Sequence, residues 1–139
     1  MARRANRRAA ADDTNRQCPC GTGKAYARCC RPLHLAVTDA ATAEELMRSR
    51  FSAFAVGDVG YLLRSWHSST RPTRLVLDPG QRWLRLEIVD SSGGGLLDSS
   101  GTVEFRAHHR QAGQSDTLHE RSMFVREDGR WVYLHALPD

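Results

Sequence analysis

All four cysteines of the 139-residue chain lie within thirteen residues of one another. They form a C-x-C pair and, after eight further residues, a C-C pair: Cys18, Cys20, Cys29 and Cys30. Four thiolates at such short spacing suit a tetrahedral Zn²⁺ site, because each sulfur must lie about 2.3 Å from one ion. A set of four leaves no coordination position open to a substrate, so the spacing predicts a structural zinc site.

Other uses of paired cysteines fit this chain less well. Disulfides are typical of exported proteins, whereas the arginine-rich start of this sequence lacks the apolar stretch of a secretory signal. We therefore expect a cytoplasmic protein with reduced thiols. A redox dithiol usually has C-x-x-C spacing beside a βαβ pattern, and the chain has neither. Iron can also occupy a thiolate site, so it stays an alternative to zinc.

A loop and a short helix must bring the two cysteine pairs together. The turn Gly21-Thr22-Gly23 is expected to reverse the chain after the first pair. A single helical turn from Lys24 would then carry Cys29 and Cys30 back to the ion, and Pro32 would end that helix. Adjacent helical residues point about 100° apart, which is close to a tetrahedral angle.

Basic residues are concentrated near the start of the chain. The net charge is +4, and residues 1–11 contain four arginines and no acidic residue. We predict a disordered tail over residues 1–16, which either is simply solvated or helps the cysteine segment hold RNA, the ribosome or an acidic protein.

The hydrophobic fraction of 40% is typical of a globular protein. With no run of about 18 apolar residues, the sequence predicts no membrane span.

From residue 42 the apolar residues recur with the period of an amphipathic helix. A capping box at Thr42 and Glu45 predicts where a first helix begins, and Gly57 predicts where it ends. Asp58 can cap a second helix, which should be an antiparallel or strongly crossed neighbour of the first because the turn is tight. The two apolar stripes are Met47, Phe51 and Phe54 in the first helix, and Val59, Leu62, Leu63 and Trp66 in the second.

After the turn Asp78-Pro79-Gly80 the apolar period changes to 2, which predicts strands. The first strand should contain Leu84, Leu86 and Ile88, and residues 91–95 should form a flexible loop. Helices followed by an antiparallel meander give an α+β domain with helices packed on one face of a curved sheet. The remaining predicted strands are one with Val103, Phe105 and Ala107, one over residues 117–126 and one over residues 130–136.

The dipeptide Asp128-Gly129 predicts a two-residue hairpin turn and therefore a register for the last two strands. One face would pair Val125 with Val132, Met123 with Leu134 and Arg121 with Ala136, and this aliphatic face suits a core covered by helices. The opposite face would pair Arg126 with Trp131, Phe124 with Tyr133 and Ser122 with His135. This aromatic face could be a second buried surface or an oligomer contact, as in a homodimer.

The cysteine segment resembles the SEC-C motif, a small zinc module found at the end of the SecA translocation motor. The resemblance covers the four cysteines, the Gly-Thr-Gly-Lys turn at residues 21–24 and the aromatic Tyr26 before the second pair. It implies a binding module, so we expect residues 17–32, here named the knuckle, to contact a partner protein.

The rest of the chain resembles the bacterial YchJ-like family. That resemblance implies an NTF2-like cone over residues 33–139 and a metal, but no reaction. We expect this unit to fold without the knuckle. The blocks that carry the resemblance are residues 46–54 (LMRSRFSAF), 61–62, 66–67, 70–72, 101–105 (GTVEF), 118–124 (LHERSMF) and 127–131 (EDGRW).

Cones of the NTF2-like type can hold a pocket between sheet and helices. Arg50 should lie at the apolar edge of its helix and need a carboxylate partner, while Arg48 should be freer. His119 and Arg121 would point towards the helices and Glu120 away from them. Three interpretations of these residues remain: an ion-pair cluster, a ligand pocket and an acid/base pair. No residue is assigned as catalytic. The pocket candidates are Arg50, Trp66, His67, His119, Glu120 and Arg121.

Two functions therefore compete. In the first, a zinc knuckle contacts a protein or a ribosomal or nucleic-acid partner, and the cone acts as a binding scaffold. In the second, the cone is a small-ligand carrier or an isomerase- or hydrolase-type enzyme with a pocket near Trp66, His67, His119 and Arg121. A deep cavity between sheet and helices would favour the second.

Overall fold

The computed structural model describes residues 16–138 of the chain. The predicted basic tail lies outside this range except for Arg16. The elements in chain order are a 3₁₀ helix (Tyr26–Arg28), α1 (Arg31–His34), α2 (Ala43–Val56), α3 (Val59–Arg64), β1 (Gln81–Gly93), β2 (Ser100–Gln111), β3 (Gln114–Glu127) and β4 (Arg130–Ala136).

Helix α2 is the central helix of the molecule. Thr42 Oγ1 accepts a hydrogen bond from the Glu45 amide at 3.1 Å, as in the predicted capping box. Gly57 ends the helix in the left-handed conformation, with φ of 80°. Eight of the fourteen helical residues are buried, so α2 is covered on more than one side. The predicted start and end of this helix are confirmed.

The shorter helices differ from the prediction in two places. Asp58 Oδ1 caps α3 by accepting from the Tyr61 amide at 3.0 Å, as expected, but α3 ends at Arg64, before Trp66. Pro32 does not end the knuckle helix. It lies in the first turn of α1, where its missing N–H would have no helical partner anyway.

The sheet is an antiparallel meander in the order β1-β2-β3-β4. In β2, Val103, Phe105 and Ala107 are buried as predicted. In β1 the register with β2 shifts between Trp83 and Arg85, and this bulge leaves Leu84 half exposed while Trp83 packs on the core. Strict alternation was therefore wrong at Leu84. The prediction of a loop at residues 91–95 was also wrong for residues 91–93, since β1 continues to Gly93.

The Asp128-Gly129 turn is confirmed. Both residues have positive φ, 53° and 82°, which is typical of a type I′ hairpin. The predicted register is confirmed for the three pairs next to the turn. Beyond Phe124 it is wrong, because a bulge places Met123 opposite His135 and Ser122 opposite Ala136.

The helices cover the aromatic face of this hairpin. Phe124 and Trp131 are 0% and 2% exposed and pack in the main core with Met47 and Phe51. On the face predicted to be inside, Val132 is 5% exposed, but Met123 and Val125 are only half-buried. The expected sidedness was therefore wrong, because the large rings bury more apolar area than the aliphatic set. Of the two alternatives given for the aromatic face, the structure therefore favours a surface buried within the chain.

Arg126 joins the β1–β2 connection to the β3–β4 turn. Its guanidinium donates to the carbonyl oxygens of Leu96 and Asp98, both at 2.7 Å, and of Gly129 at 3.0 Å. It also lies over the ring of Trp131, with Cζ 4.5 Å from the centroid. Within residues 16–138 no helix is long and apolar enough to cross a membrane.

Candidate metal centre and cavity

The four cysteine sulfurs form one cluster, all within 4.8 Å of one another. Cys29 Sγ lies 3.5 Å from Cys20 Sγ and 4.0 Å from Cys30 Sγ. A tetrahedral ion with bonds of about 2.3 Å would place its sulfurs about 3.8 Å apart. The donor set and its spacing therefore fit a four-thiolate metal, and Cys29 is the one ligand that is only half-buried.

Local backbone structure brings the two pairs together. Two hydrogen bonds, from the Cys18 amide to Lys24 O and from the Tyr26 amide to Arg16 O, both at 2.8 Å, close a loop around the turn. Gly21 adopts φ of 86° in that turn, a conformation that favours glycine. The single helical turn expected after Lys24 is in fact a 3₁₀ helix followed by α1. Cys29 and Cys30 lie at the junction of these two elements.

The thiols perturb one another strongly. Hydrogen bonds from Cys18 and Cys30 hold the pKa of Cys20 well below its usual range. The pKa of Cys30 is raised by its hydrogen bonds to Cys18 and Cys20, and burial raises that of Cys29 to about 11. Opposite shifts of this kind describe neighbouring sulfurs that share protons, and a bound metal would replace those protons.

Helix α2 supplies a hydroxyl to the cluster. Ser52 is fully buried, and its Oγ lies 3.3 Å from Cys18 Sγ. From within the knuckle, Thr22 Oγ1 lies 3.1 Å from Cys29 Sγ. Hydroxyls in such positions hydrogen-bond and orient metal ligands. Sequence reasoning missed Ser52 because it lies 34 residues from its cysteine partner.

Arg48 also joins α2 to the knuckle. Its Nη1 donates to Cys20 O at 2.7 Å, and its Nε lies 3.1 Å from Glu44 Oε2. The Arg48 side chain is 24% exposed and Arg50 is 4% exposed, so Arg48 is freer as expected, but its contact with the knuckle was not foreseen. The apolar stripe of α2 predicted which side of the helix faces the sheet, but it carried no information on the side that faces the knuckle.

His34 is a third link between the knuckle and α2. Its Nε2–H donates to Ser49 O at 2.8 Å, so its Nδ1 accepts from the hydroxyl of Tyr26 at 2.7 Å. Burial lowers the pKa of His34, which favours this neutral form. Its ring also lies 4.7 Å from that of Tyr61. The sequence prediction placed His34 in a connector and gave it no role.

A cavity of about 250 Å³ lies between α2 and the sheet. Of the predicted pocket residues, Arg50, Trp66 and Glu120 line it. The other lining side chains are mostly aromatic or aliphatic: Met47, Phe51, Phe54, Trp83, Phe105, Ala107, Leu118, Ser122 and Tyr133.

The other three predicted pocket residues do not line this cavity. His119 is exposed, with Nε2 2.6 Å from Glu104 Oε2, and Arg121 is exposed on the same strand. Both were expected to face the helices, and the reversed sidedness of β3 turns them outward and Glu120 inward. His67 lies beside Glu127, with Nε2 3.6 Å from Oε2.

Arg50 is 4% exposed, but its partners are not carboxylates. Its Nη1 donates to Leu62 O at 2.8 Å and to Ser65 Oγ at 2.7 Å. Its Cζ lies 4.8 Å from the ring centroid of Tyr133 and 5.1 Å from that of Trp66. Between residues 16 and 138 no carboxylate forms an ion pair with it, so the expected pairing was wrong. Burial lowers the pKa of Arg50 to about 10, which still leaves it charged at neutral pH.

Glu120 lies at the other end of the Tyr133 side chain. Its Oε2 accepts from Ser122 Oγ at 2.6 Å and from the Tyr133 hydroxyl at 3.4 Å. Burial, and then the charge of Glu120, raise the pKa of Tyr133 to about 12. The cavity therefore presents a cation over the Tyr133 ring and an anion at its hydroxyl. Trp66 Nε1 is a further buried donor, without an acceptor in the described range.

Comparison with known proteins agrees with both parts of this architecture. The family model for the YchJ middle NTF2-like domain matches residues 42–136, and the model for the SEC-C motif matches residues 15–32. The chain belongs to the YchJ-like family. Relatives of this YchJ-like chain include a UPF0225 protein of Streptomyces coelicolor, 53% identical over 84% of this chain and 90% of its own length. Another, from Deinococcus radiodurans, is 45% identical over 86% of this chain and 87% of its own.

Two solved structures share the fold of this YchJ-like chain. The solution structure of a SEC-C motif containing protein from Rhodopseudomonas palustris has a TM-score of 0.76 at 35% identity, over 88% of this chain and 98% of that one. The crystal structure of a SEC-C motif containing protein from Psychrobacter arcticus has a TM-score of 0.73 at 26% identity, over 91% and 86%. The family and the α+β, NTF2-like fold expected from the sequence are confirmed.

Proposed function

We propose that this YchJ-like protein binds a small ligand in its cone, and that Zn²⁺ held by the knuckle steadies the helix that carries the ligand-binding arginine. The observation that supports the proposal is the cavity itself, with a buried Arg50 on its wall that forms no ion pair with any carboxylate of residues 16–138. A filled cone would have favoured a scaffold without a ligand.

Burial of an arginine without a carboxylate is energetically unfavourable. A buried charge is normally paired, because its loss of hydration is not otherwise compensated. Here the neutral partners use only Nη1. In the described part of the chain no acceptor bonds Nε or Nη2, although a guanidinium has five N–H groups to donate. An acceptor group on a ligand would satisfy the remaining donors.

Zinc in the knuckle would act as a cross-link and not as a catalyst. Cys18, Cys20, Cys29 and Cys30 would fill a tetrahedral shell, and Ser52 would hydrogen-bond one of the ligands. Elemental analysis of gently purified protein should find one zinc per chain. A finding of iron instead of zinc would change the identity of the metal but still support the site. A finding of no stoichiometric metal would contradict the site.

Ligand binding can be tested through the two tryptophans of the cavity wall. We expect one-ring aromatic compounds, such as 3-phenylpropanol or phenylalanine, to change the fluorescence of Trp66 and Trp83 in a saturable way. The matched control is Ala107→Leu, which puts a larger side chain into the cavity and should abolish the change. If no compound binds the wild-type protein, or if the control binds equally, the cone is not a ligand site.

The knuckle supports a second function, the binding of an acidic partner. Lys24, Arg28 and Arg31 are exposed on it, and residues 17–32 contain no acidic residue. Opposite charge on a protein or nucleic acid would steer it to this surface. A pull-down should recover the partner with the intact knuckle, but not after reversal of the three charges to Glu or with Cys29→Ser. Nuclease treatment separates a nucleic-acid partner from a protein one.

A further inference from the structure

We propose that the ligand of the cavity is a small amphipathic zwitterion, of which apolar amino acids are the simplest class. Arg50 would bind its carboxylate, Glu120 its ammonium group, and the aromatic wall its apolar body. The inference rests on the ligand-binding function proposed above and adds the chemical class of the ligand.

The carboxylate half follows from the unpaired donors at one end of the cavity. Arg50 Nε and Nη2 make no hydrogen bond to any residue that the structure describes. A guanidinium is planar and binds a carboxylate through two parallel N–H bonds. Trp66 lies on the same wall, and its fully buried Nε1 has no acceptor between residues 16 and 138. The free guanidinium donors require an acceptor, and a low-polarity cavity strengthens such a charged contact.

The ammonium half follows from Glu120. Its Oε2 accepts two hydrogen bonds, whereas Oε1 has no donor partner between residues 16 and 138. A simple anion bound to Arg50 would lie near this carboxylate and be repelled by it. A simple cation at Glu120 would in turn be repelled by Arg50. A ligand with one charge of each sign is complementary to both residues.

The apolar body of the ligand follows from the size and lining of the cavity. An apolar protein cavity of about 150 Å³ is large enough for benzene. A cavity of about 250 Å³ therefore accommodates one ring or a branched aliphatic chain together with a short polar head. Phe51, Phe54 and Trp83 line the apolar part, and Leu118, which is 42% exposed, marks an opening to solvent.

Four compounds with the same phenylalkyl body separate the charge classes: phenylalanine, 3-phenylpropanoate, phenethylamine and 3-phenylpropanol. Each is titrated into the full-length, metal-loaded protein by calorimetry. We expect phenylalanine to bind about tenfold or more tightly than the other three, because each of those leaves a charged group unpaired.

Two variants assign the two charges. Arg50→Met should remove the advantage of the carboxylate, so that phenylalanine binds no better than phenethylamine. Glu120→Gln should remove the advantage of the ammonium group, so that phenylalanine binds no better than 3-phenylpropanoate. Circular dichroism checks that both variants are folded, and Glu120→Gln, which keeps the polar contacts of Glu120, decides the question if Arg50→Met does not fold.

The outcomes distinguish this inference from the function on which it rests. Tighter binding of 3-phenylpropanol, 3-phenylpropanoate or phenethylamine than of phenylalanine would overturn the zwitterion and leave the ligand site in place. Equal binding of all four would do the same. Failure of all four to bind would overturn both proposals.

Discussion

At the scale of single residues, Arg50 shows what a sequence can and cannot predict. Its place at the edge of an apolar helical stripe correctly indicated burial. Its partners could not be predicted, because a carbonyl oxygen of α3 and the rings of Trp66 and Tyr133 leave no local signal beside Arg50 in the sequence. The four cysteines are the opposite case, since their spacing alone indicated a cluster that the structure contains.

Replacement of Arg50 by methionine should lower the free energy of unfolding by less than about 1 kcal/mol or raise it. The hydrogen bonds that are lost are offset because the charge no longer has to be buried without a carboxylate. Urea denaturation of Arg50→Met and of the wild type measures the difference. A loss of about 3 kcal/mol or more would show that the hydrogen bonds and ring contacts of Arg50 outweigh the cost of burying its charge.

Removal of the Ser52 hydroxyl should weaken metal binding. Ser52→Ala deletes the group 3.3 Å from Cys18 Sγ, and the loss of such an outer contact typically costs about 10- to 100-fold in metal affinity. The matched control is Ser49→Ala on the same buried face of α2, whose hydroxyl bonds Leu46 O and Tyr61 instead. Competition with a chelator measures both variants, and equal affinities would exclude a role for Ser52 at the metal.

His34 should make stability depend on pH. Its pKa in the folded protein is below the unfolded value of 6.5, so the unfolded chain binds more protons between the two. The contribution of His34 is therefore complete above pH 6.5 and is lost as the pH falls towards the folded pKa. Denaturation at several pH values should show this slope in the wild type and a flatter one in His34→Gln. The same slope in both proteins would assign the effect to other groups.

At the scale of the elements, local sequence signals predicted the ends of helices and the turns better than they predicted which face of a strand is buried. Gly57 and Asp128-Gly129 act through their own backbone conformations, so the end of α2 and the hairpin turn were predictable. The bulges in β1 and at Met123 depend on the neighbouring strand and leave no comparable signal. The prediction that His119 and Arg121 line the pocket failed for a different reason: the aliphatic face of β3 was expected to be inside, whereas the face with Phe124 is.

The β1–β2 connection should not tolerate a side chain at Gly101. A Cβ there would lie 2.4 Å from Gly94 N and 2.5 Å from Gly94 Cα, so the backbone would have to move. We expect Gly101→Ala to lower the free energy of unfolding by about 1–3 kcal/mol or more. Gly113→Ala is the control, because its Cβ would meet no atom and only its positive φ of 79° opposes it. Thermal denaturation should rank Gly101→Ala as clearly less stable.

At the scale of the molecule, the knuckle and the cone have separate apolar clusters joined by polar contacts. The main core contains no residue of the knuckle, and the three buried cysteines form a cluster of their own. The links between the two are hydrogen bonds made by Ser52, Arg48 and His34. The knuckle is therefore attached to α2 at several points but does not fill the cone.

Deletion of residues 1–32 should leave a folded but weakened cone. The core remains, as the sequence also led us to expect, but three side-chain hydrogen bonds to the knuckle are lost at about 0.5–1.5 kcal/mol each, together with the backbone acceptors of Cys30, Arg31 and Pro32. The free energy of unfolding of residues 33–139 should be lower by at least about 1.5–4.5 kcal/mol, and the full-length protein treated with a chelator should fall between the two. Unchanged stability would show that the knuckle does not steady α2, and a molten product would show that it is essential for the core.

The placement of the core partners of α2 also sets an order of events during synthesis. Trp131 Nε1 donates to Ala41 O across 90 residues of sequence, and Phe124 and Trp131 complete the core against α2. On the ribosome, α2 emerges long before these strands, so its apolar side has no native cover until nearly the whole chain has been translated. The four cysteines emerge before α2, so at the metal site proposed above an ion would be able to bind at that stage. A nascent chain would thus acquire its metal while the cone is still open.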